Sequence, residues 1–171
     1  MPWNSTMPTD FQDGQNVDEG DLDPIVNNIT HLRNEVVQIK QKPLDQVVNN
    51  STTFVDDTDL QIILLPNTIY TVEFEAVYNS GATPGFKTQY VVPAGTTGLI
   101  AGMGANAFNG NNLTAVLNWG GAGAERWIRA LSRVTTTGTG GIMKLTWAQQ
   151  TANATNTTLR SMSILRATII G

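Results

Sequence analysis

From Leu44 to the C-terminus the sequence is a succession of short apolar and β-branched runs, each closed by Gly, Pro, Asn or Asp. The runs fall at residues 46–48, 52–55, 60–65, 69–78, 86–92, 97–103, 113–118, 126–136, 141–149 and 159–170. Between them stand clusters such as Pro66-Asn67, Pro93-Ala94-Gly95 and Gly120-Gly121-Ala122-Gly123, whose residues favour turn conformations. Run 69–78 alternates: Tyr70, Val72, Phe74, Ala76 and Tyr78 share one face of a strand, with Thr71, Glu73 and Glu75 on the other. Met143, Leu145 and Trp147 alternate with Lys144 and Thr146 in the same way. Strands at this spacing predict a mainly β head over residues 43–171, an antiparallel β-sandwich or jelly roll. The cluster Asp56-Asp57-Thr58-Asp59 reads as a turn rich in Asx residues.

Residues 1–42 follow another pattern. Residues 1–20 hold Pro, Asp, Gly and Asn around isolated apolar residues, Trp3, Met7, Phe11 and Val17, and no period emerges. They read as an extended anchoring arm whose apolar groups need a foreign surface to bury them. Over residues 21–42, Leu22, Ile25, Ile29, Leu32, Val36 and Ile39 are spaced 3, 4, 3, 4, 3, an unbroken a/d heptad seam. Asp21 or Asp23 and Pro24 suit the start of a helix, Lys40 and Lys42 its end, and Pro43 stops it. Glu35 and Lys40 stand at the offset of an interchain g–e′ ion pair. β-branched Ile at the d positions 25 and 39 disfavours a parallel dimer, so the seam predicts a short trimeric coiled coil. Its eighteen residues, 22–39, rise only about 27 Å, so the β head has to trimerise with it.

Composition narrows the functional classes. Only 14% of the 171 residues are charged, 40% are hydrophobic, and 23 Thr and 16 Asn carry much of the polarity. Cysteine is absent, which excludes disulfides and Cys-ligated zinc. The net charge of −4 is uneven: residues 1–23 carry six acids and no Lys or Arg, whereas residues 61–171 carry seven basic residues against three acids. An acidic arm suits docking on a basic surface. The basic residues are too dispersed for a nucleic-acid patch, and no stretch is long and apolar enough for a membrane span.

No catalytic constellation emerges. The single histidine, His31, falls at an exposed c position of the heptad, too isolated for a Ser-His-Asp triad or a histidine metal site. Glu73 and Glu75 lie about 7 Å apart on one strand face, a glycosidase-like spacing, but no cleft aromatics accompany them. The Asp56–Asp59 cluster lacks the twelve-residue calcium-loop pattern, and the 120–123 glycines lack the Lys-Ser/Thr of a phosphate loop. The chain reads as non-enzymatic, with no metal and no cofactor. For sugar stacking the candidates are Trp3, Trp119, Trp127 and Trp147, with Trp119-Gly120-Gly121 the foremost candidate for a glycan contact.

The opening (Trp3, Phe11, Gly14, Val17, Asp21-Leu22, Ile25, Leu32), the stretch from Pro43 through Asp56-Asp57 to Tyr70 and Phe74, and the ending Leu145-Thr146-Trp147-Ala148-Gln149-Gln150, Asn153-Ala154-Thr155, Leu159-Arg160 and Leu165-Arg166-Ala167 resemble small structural proteins of tailed bacteriophages. The resemblance covers about two thirds of the chain and brings no catalytic residues. It implies a component of the virion surface, made in the host cytoplasm, with the major capsid protein or tail proteins as partners. A homotrimeric capsid decoration or head-fibre protein is the first expectation. A minor tail or tail-fibre protein that binds host-surface glycans is the second.

Overall fold

The computed structural model describes residues 37–103, 110–121 and 123–171. Two units separate in the chain, Met1–Val36 and Val37–Gly171. The arm residues Trp3, Phe11 and Val17, the seam residues Leu22, Ile25, Ile29, Leu32 and Val36, and His31 lie outside the described residues.

The second unit is built from β1 (Gln38–Gln41), β2 (Gln46–Val48), β3 (Val55–Leu64), β4 (Ile69–Ser80), β5 (Phe86–Val91), β6 (Thr97–Met103), β7 (Gly110–Asn112), β8 (Leu117–Gly120), β9 (Glu125–Thr135), β10 (Gly141–Ala148), β11 (Thr157–Leu159) and β12 (Ile164–Ile169). All the pairings are antiparallel. Four of them are nested: β3 with β10, β4 with β9, β5 with β8, and β6 with β7. This is one long hairpin of eight strands. Rolling it up adds the pairs β5–β10 and β6–β9 and yields two sheets, β3-β10-β5-β8 and β4-β9-β6-β7. The two sheets form the antiparallel sandwich expected from the sequence, and nested pairs rolled in this way give it jelly-roll topology. The other four strands enlarge one sheet beyond β4: β12 and then β1 along one stretch of its edge, β11 and then β2 along the rest.

The core lies between the sheets. Tyr70, Val72, Phe74, Ala76 and Tyr78 of β4 all point inward, as the alternation requires. They meet Leu60, Ile62 and Leu64 of β3, Phe86 and Tyr90 of β5, and Met143, Leu145 and Trp147 of β10. Tyr78 stacks on Phe86 at 4.6 Å between centroids, and Phe86 lies 5.6 Å from Trp147. The buried Tyr78 hydroxyl donates to the carbonyls of Trp119 and Gly120 at 2.9 and 3.0 Å, so the polar end of the stack is satisfied.

Several expectations are corrected. The end of the expected helix is β1: Gln38–Gln41 pairs with Gln38 opposite Ala167 and Gln41 opposite Ile164. Ile39 is therefore a strand residue, 55% exposed, and holds no d position, while Lys40 lies opposite Leu165 rather than at a coiled-coil e position. The cause is a competing partner. β12 offers an unpaired edge, and a four-residue strand beside it satisfies more backbone than a last frayed helical turn before Pro43.

Asp56–Asp59 is not a turn between strands but part of β3. The Asx character survives locally: Asp57 Oδ1 accepts the backbone N–H groups of Asp59 and Leu60, each at 3.0 Å, where β3 bulges away from β10. Run 113–118 divides: Leu113 and Thr114 form a turn closed by Ala115 N–H donating to Asn112 O at 2.8 Å, and the strand begins only at Leu117. Run 159–170 divides into β11 and β12, which both pair with β4 but are separated by a kink with Met162 at φ 69°.

Candidate functional site

The register determines which residues of the larger sheet face away from the core. Thr71, Glu73, Glu75 and Val77 of β4 stand opposite Arg133, Leu131, Arg129 and Trp127 of β9. Leu99, Ala101 and Met103 of β6 stand opposite Arg133, Leu131 and Arg129 on the far side. Ile164 and Arg166 of β12 lie opposite Glu75 and Glu73. This outer face is unusually apolar for a surface. Trp127 is 57% exposed and Leu99 63%, with Met103, Leu131 and Ile170 also exposed. Leu99, Ala101, Leu131, Thr71, Arg133 and Ile170 line a shallow depression of about 390 Å³.

Charges cross the middle of this face already paired. Arg129 bridges Glu73 and Glu75, the latter at 3.5 Å, and Arg166 reaches Glu73 Oε2 at 3.1 Å. The four groups sum to zero. Glu73, the residue between the two guanidinium groups, is itself buried. The paired middle of the face can be covered by a partner without stranding a lone charge there, the main penalty of burying a charged surface, while Arg133, farther along β9, stands outside these pairs. The aromatic, Met and Arg side chains on it are among the residue types enriched at protein interfaces. The arrangement offers binding, not chemistry: with both carboxylates held by arginines, neither is placed as a free acid or base. Among the described residues, no group of three His, Asp or Glu side chains could hold a metal ion.

The tryptophans separate by burial. Trp119 is 4% exposed, with its indole N–H donating to Thr88 Oγ1 at 2.9 Å, so it cannot serve as the sugar platform expected of it. It belongs to the core because β8 pairs with β5, which turns its alternate residues inward. Trp147 is fully buried. Trp127 holds the exposed position instead, on the outer face of β9, where the alternation with Ile128 inward could have placed it.

A separate ion ladder closes one side of the molecule. Arg160 binds Asp45 at 2.7 Å and Glu125 at 2.6 Å, and Ser161 N–H donates to Asp45 Oδ1 at 2.7 Å. The Ser161 N–H and then the Arg160 guanidinium hold the Asp45 carboxyl below its ordinary range, and the Asp45 hydrogen bond raises Arg160 in return.

No protein-family model matches the chain, and no curated protein is similar to it. Loose likenesses to solved structures exist. A chain of the tripod from the baseplate of bacteriophage Tuc2009 is 12% identical over 98% of this chain and 78% of its own, with a TM-score of 0.31. A chain of the infectious bursal disease virus Gt strain is 10% identical over 80% of this chain and 42% of its own, with a TM-score of 0.23. A chain of the VP2 subviral particle of the same virus is 11% identical, covers 79% and 42%, and has a TM-score of 0.22. At such scores the fold assignment rests on the strand topology alone.

Proposed function

We propose that this is a non-enzymatic structural protein of a bacteriophage particle, a homotrimer anchored by its N-terminal arm and displaying the jelly-roll head on the virion surface. The observation that carries the reading is the outer face of β4, β9 and β6, an apolar surface whose central ions are paired with one another, which suits burial against another subunit. The jelly roll supports it by analogy, because this topology recurs in viral capsid and lectin domains. The sequence resemblance to small tailed-phage structural proteins points the same way, and the seam over residues 22–36 supplies a second self-association surface.

Within that class, a capsid decoration or head-fibre role is preferred. A stalk over residues 22–36 would rise only about 22 Å and gives little reach toward a receptor, whereas a squat trimer matches the threefold sites of a capsid. The 57% exposed ring of Trp127 favours the alternative of a tail protein that stacks host glycans on it.

Light scattering on the purified chain tests the assembly. The wild type should have three times the chain mass. Leu131→Asp, which places a new charge beside Glu73 on the outer face, should lower that mass while leaving the far-ultraviolet spectrum intact. A monomeric wild type at micromolar concentration refutes the trimer. Gold labelling of particles tests location: labels over the whole shell support decoration, and a few confined to the tail refute it.

A further inference from the structure

One buried cluster belongs to neither the core packing nor the outer face. Lys42 is 2% exposed and Asp57 is fully buried, with Lys42 Nζ 2.9 Å from Asp57 Oδ2. The ammonium donates to Gln46 Oε1 at 3.0 Å and to Asp59 Oδ2 at 3.1 Å, and the Asp59 side chain is 33% exposed. The lysine is held from its backbone: its N–H donates to Ser163 O at 2.8 Å, and its carbonyl accepts from Met162 N–H at 2.9 Å. Gln46 is held in turn by Trp147 Nε1 at 3.4 Å.

The two oxygens of Asp57 differ. Oδ1 accepts two backbone N–H groups, from Asp59 and Leu60. Oδ2 accepts none and, despite its short distance to the ammonium, has no partner in hydrogen-bond geometry. The nitrogen sits against the carboxyl group as an ion pair at 2.9 Å, with two of its three N–H groups given to Gln46 and Asp59.

That geometry suits a reaction. Two convergent backbone N–H groups on one carboxyl oxygen form an oxyanion hole, which stabilises charge developing on Oδ1. The other oxygen is left to depart, and a second carboxylate touches the nucleophile. We propose that Lys42 and Asp57 become joined by a side-chain amide bond, formed by the folded chain itself with Asp59 as the proton relay.

Asp59 takes a proton from the Lys42 ammonium and passes it to Asp57 Oδ2, so that a neutral amine faces a neutral carboxylic acid, and the amine attacks Asp57 Cγ, forming the Nζ–Cγ bond. The tetrahedral adduct places its one negative oxygen, Oδ1, on the Asp59 and Leu60 N–H groups. A second proton moves from Nζ through Asp59 to the Oδ2 hydroxyl, and the Cγ–Oδ2 bond breaks to release water. Ammonium and carboxylate become amide and water, with no net change in protons or electrons. Holding the two groups in contact supplies the effective concentration that amide formation in water lacks. The product also removes two ions from a buried site, where their desolvation is costly. The inference does not depend on the virion reading, since it concerns only this unit.

Intact-mass measurement of the denatured full-length chain tests it. The wild type should be one water lighter than its sequence, and fragmentation should yield a branched peptide joining Lys42 to Asp57. Lys42→Arg keeps the charge but cannot form the amide, and should have its full expected mass; N-terminal processing is shared and cancels in the comparison. Asp59→Ala leaves the reacting pair in place and should stay at the unlinked mass. A folded wild type at full mass, or one whose missing water maps to other residues, overturns the proposal. A linked Asp59→Ala chain overturns the relay.

Discussion

Gly102 on β6 tests the packing of the sandwich most directly. A Cβ at this position would lie 2.6 Å from Trp119 Cη2 and 3.1 Å from Cζ3, with Leu117 Cδ1 at 3.4 Å. The indole cannot retreat freely, because its N–H is tied to Thr88 Oγ1 at 2.9 Å and the ring is enclosed in the core. Gly102→Ala should therefore overpack the site at a cost of about 1–3 kcal/mol. Restricting the unfolded chain returns about 0.4–1 kcal/mol. The net expectation is a loss of about 1–2 kcal/mol, read as a lower denaturant midpoint at unchanged slope. Trp119→Phe removes the part of the ring that clashes, so the double variant should be less destabilised than the sum of the singles, a coupling of about 0.5 kcal/mol or more. A midpoint for Gly102→Ala at or above wild type, or strict additivity in the cycle, would refute the contact between β6 and the Trp119 ring.

Two further outcomes follow from single groups. Tyr90 is fully buried and burial holds its phenol well above the ordinary value of 10.0, so the folded state keeps a proton that the unfolded chain loses. The contribution of Tyr90 to stability should thus be constant below pH 10.0 and fall as pH rises above it, with phenolate absorbance from Tyr90 appearing only on unfolding; early titration of all three tyrosines would contradict this. Gln38 lends its side-chain amide to the edge of β3, donating to Ile63 O at 2.6 Å and accepting Ile63 N–H at 3.0 Å. Gln38→Ala should cost about 1 kcal/mol and speed hydrogen exchange at the Ile63 amide, and an unchanged rate would show that the edge is closed by something else.

The residues of β4 illustrate what could be read locally. A period-two pattern as clean as Tyr70 to Tyr78 admits one orientation of the strand, because reversing it would bury Glu73 and Glu75 among aromatics. Thr97–Met103 also emerges with the bounds expected of it, set off by the Pro93-Ala94-Gly95 turn before it. The Asx chemistry of Asp57 was legible as well, since a carboxylate hydrogen-bonds nearby N–H groups wherever the chain allows. Its element was not, because a bulge in β3 depends on the register of β10, more than eighty residues away in sequence.

Tertiary structure decided the rest. Gln38–Gln41 carries a helical spacing and a strand-forming composition at once, and only the open edge of β12 resolves the conflict. Trp119 and Trp127 are indistinguishable as sequence letters, yet one is enclosed and the other exposed, because burial is set by which sheet covers which face. Lys42 looks like the cation at a helix end and instead lies enclosed against Asp57, brought there by the path of the chain from β1 into β2. Alternation and turn chemistry act over a few residues, so the sequence by itself determined the cleanly alternating strands β4 and β10 and their inward faces. Strand order, the apolar outer face and the Lys42–Asp57 encounter come from contacts between distant segments, which no local pattern encodes.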